Sequence, residues 1–197
     1  MLDVLGAFRC AACGETGAVL CSRCADAAPP CPRLEPVPPL ASLTAAWHYE
    51  GPARTLVLGL KLRGMRINAD PLAEAMCRNA WRDGLDGDVL CWVPGRRTDV
   101  RRRGYDHAEV LARAVAARLG LPAMALLRAA GPRQDQTTLT AAQRKSNLRG
   151  AFVARRAHGR VVLVDDVMTT GATICTSATA LLRAGAGAVN ALVGCRA

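Results

Sequence analysis

Residues 160–173, with the sequence RVVLVDDVMTTGAT, constrain the fold of this chain more than any other stretch. Residues 161–164 are all β-branched or leucine, which predicts a strand buried on both faces, as in the parallel sheet of an α/β domain. Two adjacent acidic residues, Asp165 and Asp166, are predicted to end this strand. A loop rich in threonine and glycine follows, and we expect a helix to begin near Thr173. The stretch therefore predicts a strand, a loop and a helix with two carboxyl groups at the turn.

This predicted unit has the chemistry of an anion-binding site. Backbone N–H groups at a helix start lie at the positive end of the helix dipole, and Gly171 allows a ligand to approach the backbone closely. The expected ligand is a phosphate with a sugar diol beside it, which the carboxylates would bind. The alternative is a solvated turn, because aspartate is common in turns. The position of the pair favours the site, since Asp165 and Asp166 are the only acidic residues from Gln136 to the C terminus.

The same segment resembles the phosphoribosyl pyrophosphate (PRPP) motif of type I phosphoribosyltransferases, in which hydrophobic residues precede two acidic residues and a loop rich in threonine and glycine. Within that superfamily the chain is similar to the ComF family over almost its whole length. The resemblance implies an α/β fold of the type I phosphoribosyltransferase kind, a parallel sheet flanked by helices. It also implies that the catalytic pair Asp165 and Asp166 contacts the ribose hydroxyls, and that the 5′-phosphate is bound by Met168, Thr169, Thr170, Gly171, Ala172 and Thr173.

The length and composition fit one α/β domain with a small addition. A chain of 197 residues, 51% of them hydrophobic, accommodates a domain of about 150 residues and a short appendage. No apolar run approaches the roughly 18 residues that a membrane span needs, and residues 1–9 lack the features of a signal peptide. We therefore expect a cytoplasmic protein with no membrane span.

The cysteines indicate metal binding rather than disulfide bonds, because nine is an odd number and four of them are clustered in a chain with no export signal. Cys10, Cys13, Cys21 and Cys24 form two C-x-x-C pairs, a spacing at which four thiolates can close a structural zinc site. The alternative is a redox-active pair, although no βαβ pattern surrounds either one. Cys31 is a spare cysteine that could replace one of the ligands.

Proline content and hydrophobic periodicity predict the domain organisation. Six of the eleven prolines lie between residues 29 and 39 and predict an extended linker. The predicted units are a zinc-binding module at 1–35, a proline-rich linker at 36–44 and a phosphoribosyltransferase-like domain at 45–197. Periodicity in the last unit predicts further strands at 45–49, 88–93, 124–127 and 188–193, and helices at 52–62, 70–81 (with Asp70 as its N-cap), 105–119 and 173–184.

A run of arginines follows the predicted strand at 88–93. Five arginines lie between Gly95 and Gly104, and we expect them in a loop beside the Asp165 loop, because the C-terminal ends of parallel strands share one edge. This run resembles the pyrophosphate loop of the family, with residues 103–109 reading Arg-Gly-Tyr-Asp-His-Ala-Glu for the usual Arg-Gly-Phe-Asn-Gln-Ala-Glu. Pyrophosphate is expected to bind Arg96, Arg97 and Arg103. The alternatives are a solvated face or a nucleic-acid patch.

Three further positions have two interpretations each. Lys61, in a Lys-Leu-Arg-Gly segment that resembles the Lys-Tyr-Arg-Gly of the ComF family, either contacts phosphate or matches the dipole at a helix end. His107 is either a general base or, as we expect, a cap or surface residue. The polar segment 131–138 is predicted to be a lid from which Gln136 reaches the pyrophosphate, or else an ordinary connection to a short helix beginning near Thr140.

The net charge of +10 indicates an anionic partner. The leading hypothesis is a Mg²⁺-dependent phosphoribosyltransferase that uses PRPP, releases pyrophosphate and carries a structural Zn²⁺. The alternative is a nucleic-acid-binding or PRPP-sensing protein of the DNA-uptake (competence) machinery. Only 4% of the residues are aromatic, and none interleaves with the arginines as single-strand stacking surfaces usually require. The acceptor nucleophile cannot be identified from the sequence, and single-stranded DNA, competence proteins and a second copy of the chain stay open as partners.

Overall fold

The computed structural model describes residues 8–130 and 151–197. In these residues the strands are β1 (Ser42–His48), β2 (Val89–Trp92), β3 (Leu127–Ala129), β4 (Phe152–Ala154), β5 (Arg160–Met168) and β6 (Ala188–Arg196). The helices are α1 (Ser22–Asp26), α2 (Gly51–Leu62), α3 (Ala69–Asp83), α4 (Arg97–Arg103), α5 (His107–Leu119) and α6 (Ala172–Arg183), with a 3₁₀ turn at Arg66–Asn68.

The central sheet contains β1, β6, β5 and β2 in that order, and every neighbouring pair is parallel. Successive residues of a strand project to opposite faces. In β5, Val162 and Val164 pack with α2, α3 and α5, whereas Val161 and Leu163 pack with α6 and β3. Helices therefore cover both faces of the sheet, and the predicted α/β fold class is confirmed.

β5 is longer than the sequence predicted. The acidic pair was expected to end the strand, but the strand continues through Asp165 and Asp166 to Met168, because this end stays paired with β6 as far as Arg196. Gly194 allows this pairing: a Cβ at this position would lie 2.8 Å from the carbonyl oxygen of Asp166. The two carboxyl groups consequently belong to the rigid sheet and not to a loop.

Two other elements differ from the predictions. The arginine run is the helix α4, which starts after the extended residue Arg96 and ends at Gly104 in the left-handed conformation, so the expected loop is wrong. The strand expected at 124–127 is displaced, because Ala123 forms a single parallel bridge with Leu90 and β3 begins only at Leu127. β3 pairs with β4 in a separate antiparallel ribbon outside the central sheet.

The start of α3 differs as well. Asp70 lies inside the first turn of α3, and Asn68 occupies the N-cap position without making a side-chain cap. The carboxylate of Asp70 instead accepts a hydrogen bond from Arg118 of α5 at 2.5 Å. Asp70 therefore joins two packed helices rather than capping one.

The segment between the cysteines and β1 lies along the edge of the sheet. The N–H of Cys31 donates to the carbonyl of Ala46, and the N–H of His48 donates to the carbonyl of Pro29. Ala28 belongs to the core that α2, α3 and α5 share, and β1 already begins at Ser42. The N-terminal segment is thus attached to β1 by backbone hydrogen bonds.

Two predictions fall on residues 131–150, namely the lid with Gln136 and the short helix near Thr140, and they lie outside the described residues. Within 8–130 and 151–197, no helix combines the length and the apolar character needed to cross a membrane.

We predict that Leu163→Ala lowers the free energy of unfolding by about 2–5 kcal/mol, because the fully buried side chain fills the centre of the sheet and its loss leaves a cavity. Urea unfolding followed by circular dichroism measures the change. The matched control is Leu62→Ala, at a side chain that is 62% exposed, with an expected change within about 0.5 kcal/mol. Equal losses in the two variants would contradict this description of the core.

Candidate functional site

The acidic pair lies at the C-terminal end of β5, where the two carboxyl groups project to opposite faces of the sheet. Asp166 continues the row that packs against α2, α3 and α5, and Asp165 continues the row that packs against α6. The adjacent strand β2 ends at the same edge, with Trp92 paired to Val164. The segments after β2 and after β5 therefore lie beside each other, as the sequence predicted.

Asp166 is a buried carboxylate with two nitrogen groups close to it. It is only 2% exposed. The Nζ of Lys61 lies 3.1 Å from Oδ2, and it also donates to Oδ1 at 3.4 Å. The Nε2 of His107 lies 3.3 Å from Oδ2. Within the described residues, Oδ2 nevertheless has no well-aligned hydrogen-bond donor.

The surroundings of Asp166 favour its ionised form. Burial raises the pKa of a carboxyl group, but here the imidazole of His107 and the charge of Lys61 outweigh burial and lower the pKa of Asp166 to about 2. A group that is ionised at every physiological pH can only accept hydrogen bonds. Asp166 is thus a permanent acceptor at the end of the sheet.

Asp165 has the opposite character. It is half-buried, and its Oδ1 accepts a hydrogen bond from the backbone N–H of Asp166 at 2.9 Å. Burial and the neighbouring charge of Asp166 raise its pKa well above the usual value. Two adjacent carboxyl groups that interact this strongly titrate as a pair, and the second proton is lost with difficulty. A ligand that donates hydroxyl groups would relieve this repulsion by stabilising both negative charges.

The loop between β5 and α6 forms a small cleft next to Asp165. Gly171 is the N-cap of α6 and has φ 76°, which favours glycine, and the Oγ1 of Thr170 accepts from the N–H of Ala172 at 3.4 Å. The cleft measures about 50 Å³ and is lined by Asp165, Val167, Met168, Thr169, Thr170, Gly171, Ala172, Thr173 and Ile174. The six residues predicted to bind the 5′-phosphate therefore surround one cavity at a helix N-terminus.

A larger cleft of about 220 Å³ lies at the other end of the sheet, beside the start of β1. Its polar groups are paired with one another: Ser42 donates to Asn190, and Thr44 donates to Asp83. The smaller cleft is the candidate site, because Asp165 and the residues at the start of α6 line it together.

Arg196, which the sequence analysis did not select, stabilises the start of the loop between β5 and α6 through hydrogen bonds to backbone carbonyls. Its guanidinium donates to the carbonyl of Met168 at 3.2 Å and also to the carbonyl of Thr169. The N–H of Ala197 donates to Met168 as well, at 3.0 Å. The role of Arg196 follows from the register of two strands, because it pairs with Met168. No local pattern in the sequence reveals this.

The three predicted pyrophosphate-binding arginines separate into two groups. Arg96 and Arg97 are exposed at the start of α4. Arg103 is half-buried and its donors point inward: Nε donates to the carbonyl of Asp99 at 3.1 Å, and a terminal nitrogen donates to the carbonyl of Lys61 at 2.8 Å. Lys61 lies beside this group, with its Nζ 3.1 Å from the Oδ2 of Asp166, and its contact with phosphate stays a prediction.

The sequence analysis expected His107 to be a cap or surface residue, and the structure corrects this expectation. The side chain is buried, because α5 begins under the end of β5 and places the imidazole between Asp166 and Arg103. The cap of α5 is the preceding residue, Asp106, whose carboxylate accepts from the N–H of Ala108 at 3.0 Å and of Gly95 at 2.9 Å. The available signal was the place of this histidine within the segment that resembles the pyrophosphate loop.

The four clustered cysteines have the geometry of a metal site. Their sulfur atoms all lie within 4.8 Å of one another, and those of Cys13 and Cys21 are 3.7 Å apart. Four sulfurs at about 2.3 Å from a zinc ion in a tetrahedron would be about 3.8 Å apart. The residues therefore fit a Zn²⁺ ion. Cys31 is buried near β1 and lies outside this cluster, so the structure does not support it as a replacement ligand.

The backbone around the cluster favours thiolates. Burial raises the pKa of the Cys10 thiol, but backbone hydrogen bonds from Cys13, Cys21 and Ala12 outweigh it and lower the pKa to about 6. A backbone hydrogen bond near Glu15 and the side chain of Arg23 lower the pKa of Cys13. Burial and the neighbouring sulfurs raise the pKa of Cys24 to about 12. A bound cation would remove this conflict between adjacent thiolates.

The fold and the site define a protein with a phosphoribosyltransferase domain, and residues 106–196 match the model of the phosphoribosyl transferase domain family. Its relatives include the DNA utilization protein YhgH of Escherichia coli K12, 31% identical over 95% of this chain and 88% of that protein. The YhgH protein of Salmonella typhimurium is 32% identical over 90% of this chain and 84% of that protein. The chain belongs to this ComF-like family.

Solved structures with a similar fold include an allosteric regulatory enzyme of purine biosynthesis, with a TM-score of 0.46 and 23% sequence identity over 64% of this chain. A second is the glutamine PRPP amidotransferase from B. subtilis complexed with ADP and GMP, with a TM-score of 0.46 and 24% identity. The chain spans about a quarter of these enzymes, 26% of each.

We predict that the two acidic residues affect stability with opposite signs. The lowered pKa of Asp166 contributes about 2 kcal/mol to folding at pH 7, and this contribution is lost as the pH falls from about 4 to about 2. Asp166→Asn should therefore destabilise the protein at pH 7 and have less effect in acid. The raised pKa of Asp165 means that its ionisation opposes folding above about pH 4. Asp165→Asn should thus stabilise the protein at pH 7.

Urea unfolding of the wild type and both variants at pH 7 and at about pH 2, where the contribution of Asp166 is largely lost, measures these effects. The exposed Asp26 provides the matched control, and Asp26→Asn should leave the free energy of unfolding within about 0.5 kcal/mol of the wild type. The same sign of change for Asp165→Asn and Asp166→Asn at pH 7 would contradict the proposed charge distribution.

We predict one zinc ion per chain at the four-cysteine cluster. Cys13→Ser should lose the metal, because it removes one of four ligands. Cys31→Ser and Cys175→Ser should keep it, because these side chains lie outside the cluster. Elemental analysis of protein purified without chelators provides the measurement. Full zinc content in Cys13→Ser would rule out this ligand set.

Proposed function

We propose that this protein binds PRPP and transfers its 5-phosphoribosyl group to a nitrogen nucleophile, with release of pyrophosphate. The observation that carries the proposal is the combination, at one sheet edge, of an acidic pair with a phosphate-sized cleft at the N-terminus of α6. The match of residues 106–196 to the phosphoribosyl transferase domain family supports it. The cleft suits a phosphate, and the acidic pair suits the diol of the sugar next to it.

The proposed roles follow from the environment of each residue. Backbone N–H groups of residues 169–173 bind the 5′-phosphate at the positive end of the α6 dipole. Each of the two carboxyl groups accepts a hydrogen bond from one ribose hydroxyl. Asp165 does so on one face of the sheet end, and Asp166 does so on the other. Hydrogen bonds from the hydroxyls stabilise both negative charges. Because the raised pKa of Asp165 reflects the cost of its ionised form, these bonds make ligand binding more favourable at this site.

The exposed guanidinium groups of Arg96 and Arg97 bind the pyrophosphate, whose remaining charge would be neutralised by Mg²⁺ when PRPP is bound with that ion. Lys61, 40% exposed, reaches toward the same space while it contacts Asp166. We propose that Gln136 adds a contact from the predicted lid. The Nε and one terminal nitrogen of Arg103 are occupied by backbone carbonyls and His107, so it acts on pyrophosphate only through its other terminal nitrogen or by holding its neighbours.

The reaction requires no covalent intermediate with the protein. The nitrogen lone pair forms a bond to C1 of the ribose while the bond from C1 to the pyrophosphate oxygen breaks, and the electron pair of that bond leaves with pyrophosphate. The nitrogen then releases its proton to solvent. Fixed charges that hold both ends of PRPP could supply most of the barrier lowering, because they stabilise charge that develops on the leaving group and the sugar.

The four-cysteine cluster has a structural role in this proposal, since four protein ligands leave no open position for chemistry. We place the protein in the cytoplasm, where nine free cysteines stay reduced.

A nucleic-acid-binding role is the second candidate. The relatives are named DNA utilization proteins, and α4 presents the exposed guanidinium groups of Arg97, Arg101 and Arg102 on its surface. Cationic side chains of this kind bind a phosphate backbone without regard to sequence. In this alternative the PRPP site regulates the protein or is not used.

We predict that the protein binds PRPP with Mg²⁺, and that Asp165→Asn and Asp166→Asn each weaken binding by more than about tenfold, because each removes a charge-assisted hydrogen bond worth about 1.5–3 kcal/mol. Isothermal titration calorimetry measures the affinity. Asp26→Asn is the matched control and should bind like the wild type.

A parallel titration with a short single-stranded oligonucleotide at two salt concentrations tests the second candidate. Wild-type affinity for PRPP in both active-site variants would refute the assignment of the acidic pair. Salt-dependent binding of the oligonucleotide by a wild-type protein that does not bind PRPP would instead favour the nucleic-acid role.

A further inference from the structure

The buried histidine His107 has a partner on each ring nitrogen. Its Nε2 lies 3.3 Å from the Oδ2 of Asp166 on β5. Its Nδ1 lies 3.0 Å from a terminal nitrogen of Arg103, at the end of α4. The Oδ1 of Asp106, the cap of α5, is farther from Nδ1 at 3.7 Å. Within the described residues, the other charged groups near the imidazole and its carboxylate partner are Lys61 on α2 and Asp165, the neighbour of Asp166 on β5.

These contacts form a closed ring. Lys61 contacts Asp166 through its ammonium group, and its backbone carbonyl accepts a hydrogen bond from Arg103 at 2.8 Å. Arg103 contacts His107, and His107 faces Asp166. The ring links the C-terminus of α2, the junction of α4 and α5, and the end of β5. The carboxylate of Asp166 is therefore in contact, directly or through one neighbour, with side chains from all three places.

The chemistry of arginine determines which nitrogen of the imidazole carries the hydrogen. A guanidinium group has donors and no acceptor, so its contact with Nδ1 requires a lone pair on Nδ1. The hydrogen of the neutral ring is then on Nε2, the nitrogen that faces Asp166. Arg103 thereby fixes the orientation of a donor toward the carboxylate.

We propose that His107 is a positioning residue for Asp166: held by Arg103 in the Nε2–H form, it directs one carboxylate oxygen and leaves the other for a ribose hydroxyl. This inference rests on the proposed PRPP-binding function and adds a residue to it. The contact at 3.3 Å is not well aligned in this structure. Such bonds often tighten only when the ligand is bound, which is the step at which the positioning acts.

Glutamine distinguishes positioning from proton transfer. Its amide has both a donor and an acceptor, so it can face Asp166 and Arg103 at the same time, but it cannot carry a proton between groups. His107→Gln should therefore keep PRPP affinity close to the wild type. His107→Leu fills similar space without polar atoms, and we expect a loss of roughly tenfold or more, the usual effect of removing a residue that orients a ligand-binding group.

The hydrogen position is tested independently of any ligand. The chain has three histidines, and His48 and His158 are exposed, so side-chain ¹⁵N spectra of labelled protein contain three imidazole systems, and His107→Gln identifies the buried one. We expect the Nε2–H form at pH 7. The Nδ1–H form or a doubly protonated ring would overturn the proposal, whether or not the Leu variant folds.

Calorimetry with PRPP and Mg²⁺ completes the test, with His158→Gln as a surface control and thermal unfolding as the check of folding. Loss in His107→Leu with retention in His107→Gln supports positioning. Unchanged affinity in His107→Leu, or an equal loss in both variants, overturns it. A wild type that does not bind PRPP refutes the proposed function instead, and the ¹⁵N spectrum still decides the geometry of His107.

Discussion

The buried carboxylate of Asp166 is the constraint on which the arrangement of this end of the molecule depends. A charge with 2% exposure is costly unless opposite charges or hydrogen-bond donors surround it. The chain provides these from two distant segments, Lys61 at the end of α2 and His107 at the start of α5. The hydroxyl of Tyr105 and the guanidinium of Arg103 in turn donate to the last carbonyls of α2. Compensation of one charge thus fixes the relative positions of three elements.

The ionised carboxylate of Asp166 also makes the protein less stable than it would be without an acidic neighbour at position 165. Asp165 lies next to a carboxylate that is held in the ionised form, so the protein pays in stability for every ionised Asp165 in the absence of a ligand. Residues that oppose folding in this way are typical of functional sites, because a ligand that relieves the repulsion gains affinity from it. The extended pairing of β5 with β6, which needs Gly194 beside Asp166, keeps both groups in place.

The N-terminal segment is ordered by different interactions. Residues 8–28 form one short helix, a few turns and a single β-bridge between Arg9 and Thr16, and they have too few apolar side chains for a core of their own. A metal held by the four thiolates would therefore be the main source of local order. Ala11 and Leu20 also pack against the main core cluster, to which α2, α3 and α5 contribute. The alignment of residues 29–31 with β1 covers an edge that would otherwise expose unpaired backbone groups.

The sequence by itself determined the parallel α/β class, the strand at 161–164, the turn rich in threonine and glycine between that strand and the next helix, and the four-cysteine cluster, because each follows from local periodicity or short spacing. It also placed the segments after β2 and β5 at one edge, since parallel strands end together. Only the tertiary structure decided that His107 is buried against Asp166, that Arg103 points inward and that Arg196 holds the loop. These contacts join residues 27 to 59 positions apart, and no local pattern shows which distant charge will offset a buried one.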